Sequence, residues 1–216
     1  MKPLICLSLT SPSDLKLANL ADLVEIRIDL IGDVWKDLVE KLDKPWIACN
    51  RPVWEGGAWK AGEQGRIREL FKAAELGAEM IDLEISSIWV EELVEEFKEI
   101  GTKLILSYHN YELTPPLREL EGIVFKAIKL GADVWKVATW ALSPEDNLSV
   151  LKLLKINSKH KGISIAMGRL GTLSRIFCPL VGGYLTYASA RNDSKAAPGQ
   201  LPIKTLLEIY ELMGAL

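Results

Sequence analysis

Short strand-like runs alternate with longer amphipathic stretches from one end of the chain to the other, and this alternation limits the fold more than any other feature. Runs rich in branched aliphatic residues occur at Leu4–Thr10, Leu23–Leu30, Trp46–Asn50, Met80–Ile85, Lys103–His109, Asp133–Thr139, Gly162–Met167 and Gly183–Ala188. Between them, Gln64–Leu76 sets Ile67, Leu70, Phe71 and Ala74 on one helical stripe. Trp89–Ile100, Thr114–Leu130, Pro144–Ile156 and Leu201–Met213 follow the same period. Thr114 before Pro115 and Ser143 before Pro144 read as N-caps with proline at the first helical position. Strands separated mostly by helices point to a (β/α)8 barrel, with a doubly wound open sheet as the rival. The 216 residues fall below the roughly 250 of a typical barrel, so one compact domain over residues 1–216 with short loops is expected.

Composition narrows the function. A net charge of −3 argues against non-specific nucleic-acid binding, which needs a basic surface. No apolar run approaches the ~20 residues that span a bilayer, and Met1–Cys6 lacks the apolar core and cleavage site of a secretory signal. Cys6, Cys49 and Cys178 form neither a CxxC pair nor a zinc spacing, which suggests reduced thiols and a cytoplasmic location. The chain has two histidines, too few for a histidine-based metal cluster.

The chemistry is carried by polar residues inside apolar strands. In Gly131–Ala138, Val134, Lys136 and Ala138 share one face and Trp135 and Val137 the other. A lysine facing a closed interior loses water, which disfavours its ammonium form and frees a nucleophilic amine; on an edge strand it would simply face solvent. Glu75–Glu84 echoes Lys129–Ala138, each with a helix ending at Leu, a Gly, and a new strand, and the alignment sets Asp82 on Lys136. Leu23–Leu30 alternates, with Glu25, Arg27 and Asp29 on one face. One wet side of an edge strand would explain that pattern. In a barrel wrapped by helices, the charged face must point inward, where ions persist if paired or bound to a ligand.

Further candidates lie where strands end. His109 closes the fifth run, at the face where barrels place their chemistry, whereas His160 reads as a surface residue. Asn50–Gly65 is either a mobile surface loop or a substrate-covering loop carrying Arg51 and Glu55. Glycines in Ala166–Arg175 either cradle a phosphate or bring a helix close to its strand, and Ser189–Gln200 forms a second polar loop at the same rim.

Taken in order, the following pieces resemble type I 3-dehydroquinate dehydratases: Glu25-Ile26-Arg27-Ile28-Asp29-Leu30, Arg51 with Glu55-Gly56-Gly57, Asp82-Leu83-Glu84, and Ser107-Tyr108-His109. Lys136-Val137-Ala138, Met167-Gly168 through Ser174-Arg175, Thr186-Tyr187-Ala188 and Ala197-Pro198-Gly199-Gln200 continue the series. The resemblance implies a barrel lyase converting anionic 3-dehydroquinate to 3-dehydroshikimate, without metal or other cofactor, as a homodimer. It implies that Lys136 is the Schiff-base lysine, beside cations such as Arg27, and His109 the proton carrier oriented by Glu55. By the same resemblance Arg175 and Gln200, helped by Arg51, hold the carboxylate and neighbouring hydroxyl, Glu25 and Arg27 the ring hydroxyls, and Ser8 touches the ligand. The family often has serine where this chain has Ala196, and Ser194 is a candidate substitute. Two other functions fit the same residues: a class I aldolase acting on a phosphorylated sugar, and a non-catalytic barrel that senses a shikimate-pathway metabolite.

Overall fold

The computed structural model describes residues 2–156 and 158–216. Strands β1 (Ile5–Leu9), β2 (Leu23–Arg27), β3 (Trp46–Cys49), β4 (Met80–Glu84), β5 (Lys103–Asn110), β6 (Val134–Trp140) and β7 (Gly162–Met167) form a parallel ladder in chain order. Strand β8 (Thr186–Ser189) pairs with β1 on its other side, and the short β9 (Leu201–Pro202) pairs with β8. The sheet curls until its ends meet, and the Tyr184 N–H donates to the Gly162 carbonyl at 2.8 Å across the seam. Residues from β2, β6, β7 and β8 thereby line one central cavity. This is the (β/α)8 arrangement expected from the sequence.

The helices are α1 (Ile28–Ile31), α2 (Trp35–Val39), α3 (Glu63–Glu75), α4 (Val90–Ile100), α5 (Leu117–Leu130), α6 (Asp146–Ile156), α7 (Thr172–Phe177) and α8 (Ile203–Leu212). The apolar stripes of α3, α4 and α5 bury Leu70, Phe97 and Val124 completely, and Phe71 stacks on Phe97 at 4.3 Å. The main core lies between the helices and the outer faces of the strands, including Val24, Ile26, Trp135 and Val137. Trp135 lies flat over Gly162 of the next strand; a Cβ there would sit 2.0 Å from the indole, so only glycine fits. The repeated Leu-Gly junction works as read: Gly77 and Gly131 adopt φ of 88° and 97°, left-handed geometry that releases the chain from helix to strand. No helix among the described residues is long and apolar enough to cross a membrane.

Three local expectations fail for identifiable reasons. β2 stops at Arg27 rather than Leu30, because the chain turns into α1 and Asp29 reaches back to bond Arg27. Thr114 does not cap a helix: its hydroxyl bonds Thr139 Oγ1 and the Trp140 carbonyl, and α5 starts only after Pro116. Ser143 does not cap α6 either; Asp146 Oδ2 accepts the Leu142 and Ser143 N–H groups, at 2.8 and 2.9 Å. Between β1 and β2 the chain forms a 3-10 helix, Pro12–Leu20, that no strong apolar period announces; the Ser11 hydroxyl and Asp14 carboxylate form a reciprocal capping box at its start.

Candidate active site

Parallel strands twisted around a closed axis put one face of each strand inside, and here that face is ionic near the strands' C-terminal ends. Lys136 projects from β6 into the barrel and is 5% exposed. Its Nζ donates to Asp82 Oδ2 at 2.6 Å, has Glu25 Oε1 at 3.9 Å, and lies 4.4 Å from the centre of the Tyr187 ring. The two residues aligned by the sequence echo are therefore partners. The immediate neighbours of the lysine are carboxylates, not the cations expected, because Arg27 is turned to Asp29 and to the Ala196 carbonyl.

Asp82 is completely buried, and its Oδ1 accepts from Ser107 Oγ at 2.6 Å and faces Arg51 at 2.8 Å. Burial alone would raise its carboxyl; Arg51, Lys136 and His109 outweigh burial and hold it far below the usual carboxylate range. Arg51 also bonds Glu84 Oε1 at 2.6 Å, and Glu84 meets the fully buried Arg66 at 2.5 Å. Arg51 thus lines the cavity with its guanidinium committed to protein carboxylates, which weakens its expected part in holding a substrate carboxylate. The ligand atoms of Glu25, Cys49 and Asp82 lie within 4.8 Å of one another, but both carboxylates are already engaged by Lys136.

His109, from the end of β5, bonds Glu55 Oε2 through Nδ1 at 2.8 Å, which leaves Nε2 as its other ring nitrogen. Glu55 ends a short 3-10 helix, Val53–Glu55, and also accepts a hydrogen bond from Ser86. Burial pushes the Glu55 carboxyl up to about 7, against the pull of Arg51. Burial, then the Arg51 and Lys136 cations, hold the His109 imidazole well below its ordinary value. The ring is therefore uncharged at neutral pH, the state a proton acceptor needs.

Arg175, from α7, is 2% exposed and bonds the Pro198 carbonyl through one nitrogen; its Nε and other terminal nitrogen have no partner. Burial without an ion partner lowers it to about 10, so it remains a cation at neutral pH. Two unsatisfied donors on a buried cation call for an anion with paired oxygens. Gln200 accepts the Ala196 N–H and donates to Ser8 Oγ, and Ser8 donates to Glu25 at 2.6 Å. Glu25, Arg27, Arg51, His109, Lys136, Arg175 and Gln200 line one cavity. Ser8 and Glu55 stand behind that lining, bonded to Glu25 and His109.

The loops resolve the remaining alternatives. Asn50–Gly65 is anchored: the Ala58 N–H bonds Asp29, and the Gly57 and Trp59 N–H groups bond Pro52 and Arg51 carbonyls. A Cβ on Gly171 would strike the Ala166 backbone at 2.4 Å, and one on Gly199 the Gly168 carbonyl at 2.4 Å. Gly171 lets the following helix close against β7, Gly199 lets two rim loops stack on each other, and the Gly168 N–H is spent on the Pro198 carbonyl rather than turned to a ligand. Ser194 does not replace the family serine: its hydroxyl folds onto the Arg191 backbone and it is not in the cavity wall. His160 is exposed, as read. Sequence reasoning assigned no role to Tyr111, Met167 or Tyr187, which also line the cavity; their apolar surface looks like core in any periodicity.

A family model described as type I 3-dehydroquinase matches residues 5–216. A 3-dehydroquinate dehydratase from Methanocaldococcus jannaschii is 43% identical over 203 residues, covering 92% of this chain and 90% of that protein. One from Dehalococcoides mccartyi strain 195 is 38% identical over 210 residues, covering 96% and 94%. The crystal structure of the 3-dehydroquinate dehydratase from Aquifex aeolicus VF5 matches with a TM-score of 0.81 at 29% identity, across 99% of this chain and 100% of that one. By its sequence from residue 5 to residue 216, the chain belongs to the type I 3-dehydroquinase family.

Proposed function

We propose that this chain dehydrates 3-dehydroquinate to 3-dehydroshikimate, a step of the shikimate pathway and so of aromatic amino-acid biosynthesis, and that it does so through an imine on Lys136. The single observation that carries the reading is one cavity holding a buried lysine, an uncharged histidine and a buried guanidinium with two free donors. The substrate carboxylate binds Arg175, with Gln200 on the neighbouring hydroxyl. Glu25 and Arg27 take ring hydroxyls, and Ser8 steadies Glu25.

Nζ of Lys136 adds to the ketone carbon, and loss of water leaves a protonated imine. That cation is an electron sink, so the proton on the adjacent carbon becomes acidic. His109 Nε2 takes this proton, and the electron pair moves toward the imine nitrogen. The pair then returns, expelling the β-hydroxyl, which leaves as water with the proton His109 supplies. Hydrolysis of the conjugated imine releases the enone and restores the amine. Residues 1–216 act as one catalytic domain in this reading. Purified protein given 3-dehydroquinate generates the conjugated enone, followed by ultraviolet absorbance; no absorbance change at micromolar enzyme contradicts the assignment.

Glu55 orients His109 and, once ionised, strengthens Nε2 as a base. Its carboxyl is raised to about 7, so it is neutral below that pH and ionised above it. The rate therefore falls as pH drops through about 7. In Glu55→Gln this limb moves to lower pH and the plateau falls about tenfold or more. A variant with an unchanged pH–rate profile excludes the pairing from the mechanism.

Two other features belong to the same proposal. A homodimer is supported by an uncovered apolar face on α6 and α7, where Leu148, Leu173 and Phe177 are exposed. Sedimentation showing only monomer at micromolar concentration contradicts it. A cytoplasmic location is supported by Cys6, Cys49 and Cys178, all unpaired thiols; recovery of the protein from a secreted fraction contradicts that. Of the rival functions, the phosphosugar aldolase is the less supported, since the Gly168 N–H that a phosphate cradle would use is bonded to the Pro198 carbonyl. A metabolite sensor would show binding without turnover in the same absorbance assay.

A further inference from the structure

Five buried ions of alternating sign run from the outer helix layer to the reacting amine. Arg66 of α3 meets Glu84 at 2.5 Å, Glu84 meets Arg51 at 2.6 Å, Arg51 meets Asp82 at 2.8 Å, and Asp82 meets Lys136 at 2.6 Å. None of the five is more than 5% exposed. Arg66 is anchored in turn by Glu63 through two nitrogens. Only one oxygen of Asp82 faces the lysine, because Ser107 and Arg51 fill the other. The Tyr187 ring backs the ammonium, so Nζ is fixed in position before any substrate arrives.

We infer that Asp82 is the permanent counter-ion of the Lys136 nitrogen, a positioning residue that keeps its charge while that nitrogen passes from ammonium to amine to iminium. The inference rests on the imine reading above. Protonating Asp82 would leave Arg51 short of a buried counter-charge, so the proton shed by the ammonium goes to the uncharged His109 instead. The freed lone pair bonds to the ketone carbon. One of the two remaining N–H protons passes to the resulting alkoxide, His109 then returns the first proton to that hydroxyl, the C–O bond breaks, water departs, and the iminium forms. One positive charge stays between Lys136 and His109 at every stage, and Asp82 balances it throughout. Among the described residues, carboxylates facing the nitrogen come only from β2 and β4, as Glu25 and Asp82, and Glu25 is the farther, at 3.9 Å.

The test is Asp82→Asn in the full-length protein, with steady-state kinetics and the rate of borohydride trapping measured side by side. Asp82→Asn is expected to lower kcat about 10²–10³-fold, the cost of removing one preorganised electrostatic partner, with KM within about threefold of wild type. Adduct formation on Lys136 slows by a similar factor. A role confined to packing would instead raise KM and lower Tm while leaving the trapping rate of the folded fraction unchanged, and that result overturns the inference. If Asp82→Asn does not fold, Ser107→Ala decides: loss of one donor to Asp82 is expected to lower kcat about tenfold with KM unchanged, and a wild-type kcat refutes it. Failure of wild-type protein to form any adduct sinks the imine reading itself. Normal trapping in both wild type and Asp82→Asn sinks only the counter-ion role.

Discussion

Lys136→Ala is expected to lower turnover of 3-dehydroquinate by about 10⁴-fold or more, to the level set by binding and the remaining polar groups. No other lysine among the described residues lines the cavity, so no second amine takes over the nucleophile's place. The fold survives the loss. Asp82 keeps Arg51 and Ser107 as partners, and Glu25 keeps Ser8, so neither carboxylate is left alone. Breaking a buried pair outright costs about 3–5 kcal/mol; with these second partners in place the cost falls below that range, and near-ultraviolet circular dichroism stays native. A folded Lys136→Ala protein that still turns over removes the imine from the mechanism.

His109→Ala is expected to lower kcat about 10²–10⁴-fold, the usual contribution of one positioned proton carrier. The two variants differ in a second observable. His109→Ala is expected still to form the lysine adduct, on a slower timescale, because Lys136 and Arg175, the proposed nucleophile and anion site, remain. Lys136→Ala forms none. Kinetics of turnover and mass spectrometry of the trapped protein therefore separate the two roles. A His109→Ala variant with a normal rate assigns the proton transfer to another group.

How much of this was legible in the sequence depends on whether a feature is local. The strand that carries Lys136 declares itself as a short apolar run, and a lysine in the middle of it stands out. His109 is legible by position, since it closes a strand at the rim that barrels use for chemistry, whereas Arg175 is reached only through the family resemblance. Pairing across the barrel interior is not local, and there the reading falls short. Asp82 and Lys136 lie on strands that are not neighbours in the sheet, and periodicity carries no record of which interior side chains meet. The echo of Glu75–Glu84 in Lys129–Ala138 put the two at equivalent positions, yet only coordinates make them partners.

Competing local signals explain the other misses. Asp29 continues a clean alternation, so nothing before the turn marks the residue where strand gives way to helix; its bidentate bond to Arg27 rewards the turn. Thr114 has a capping residue's chemistry, but Pro115 and Pro116 in succession keep the chain extended, and the hydroxyl finds Thr139 instead. The glycines after β7 support two readings in sequence. Sterics choose between them, since a Cβ at Gly171 or Gly199 would collide with backbone. Ser194 sits two residues from Ala196, and a hydroxyl so close in sequence is still turned away by the loop's own hydrogen bonds.

The proposed mechanism depends above all on a covalent bond between one nitrogen and one ketone, and that bond can be caught directly. Protein mixed with 3-dehydroquinate and reduced with borohydride should lose activity in step with a mass gain confined to the peptide containing Lys136. An unmodified protein, or a label on a different lysine, contradicts it.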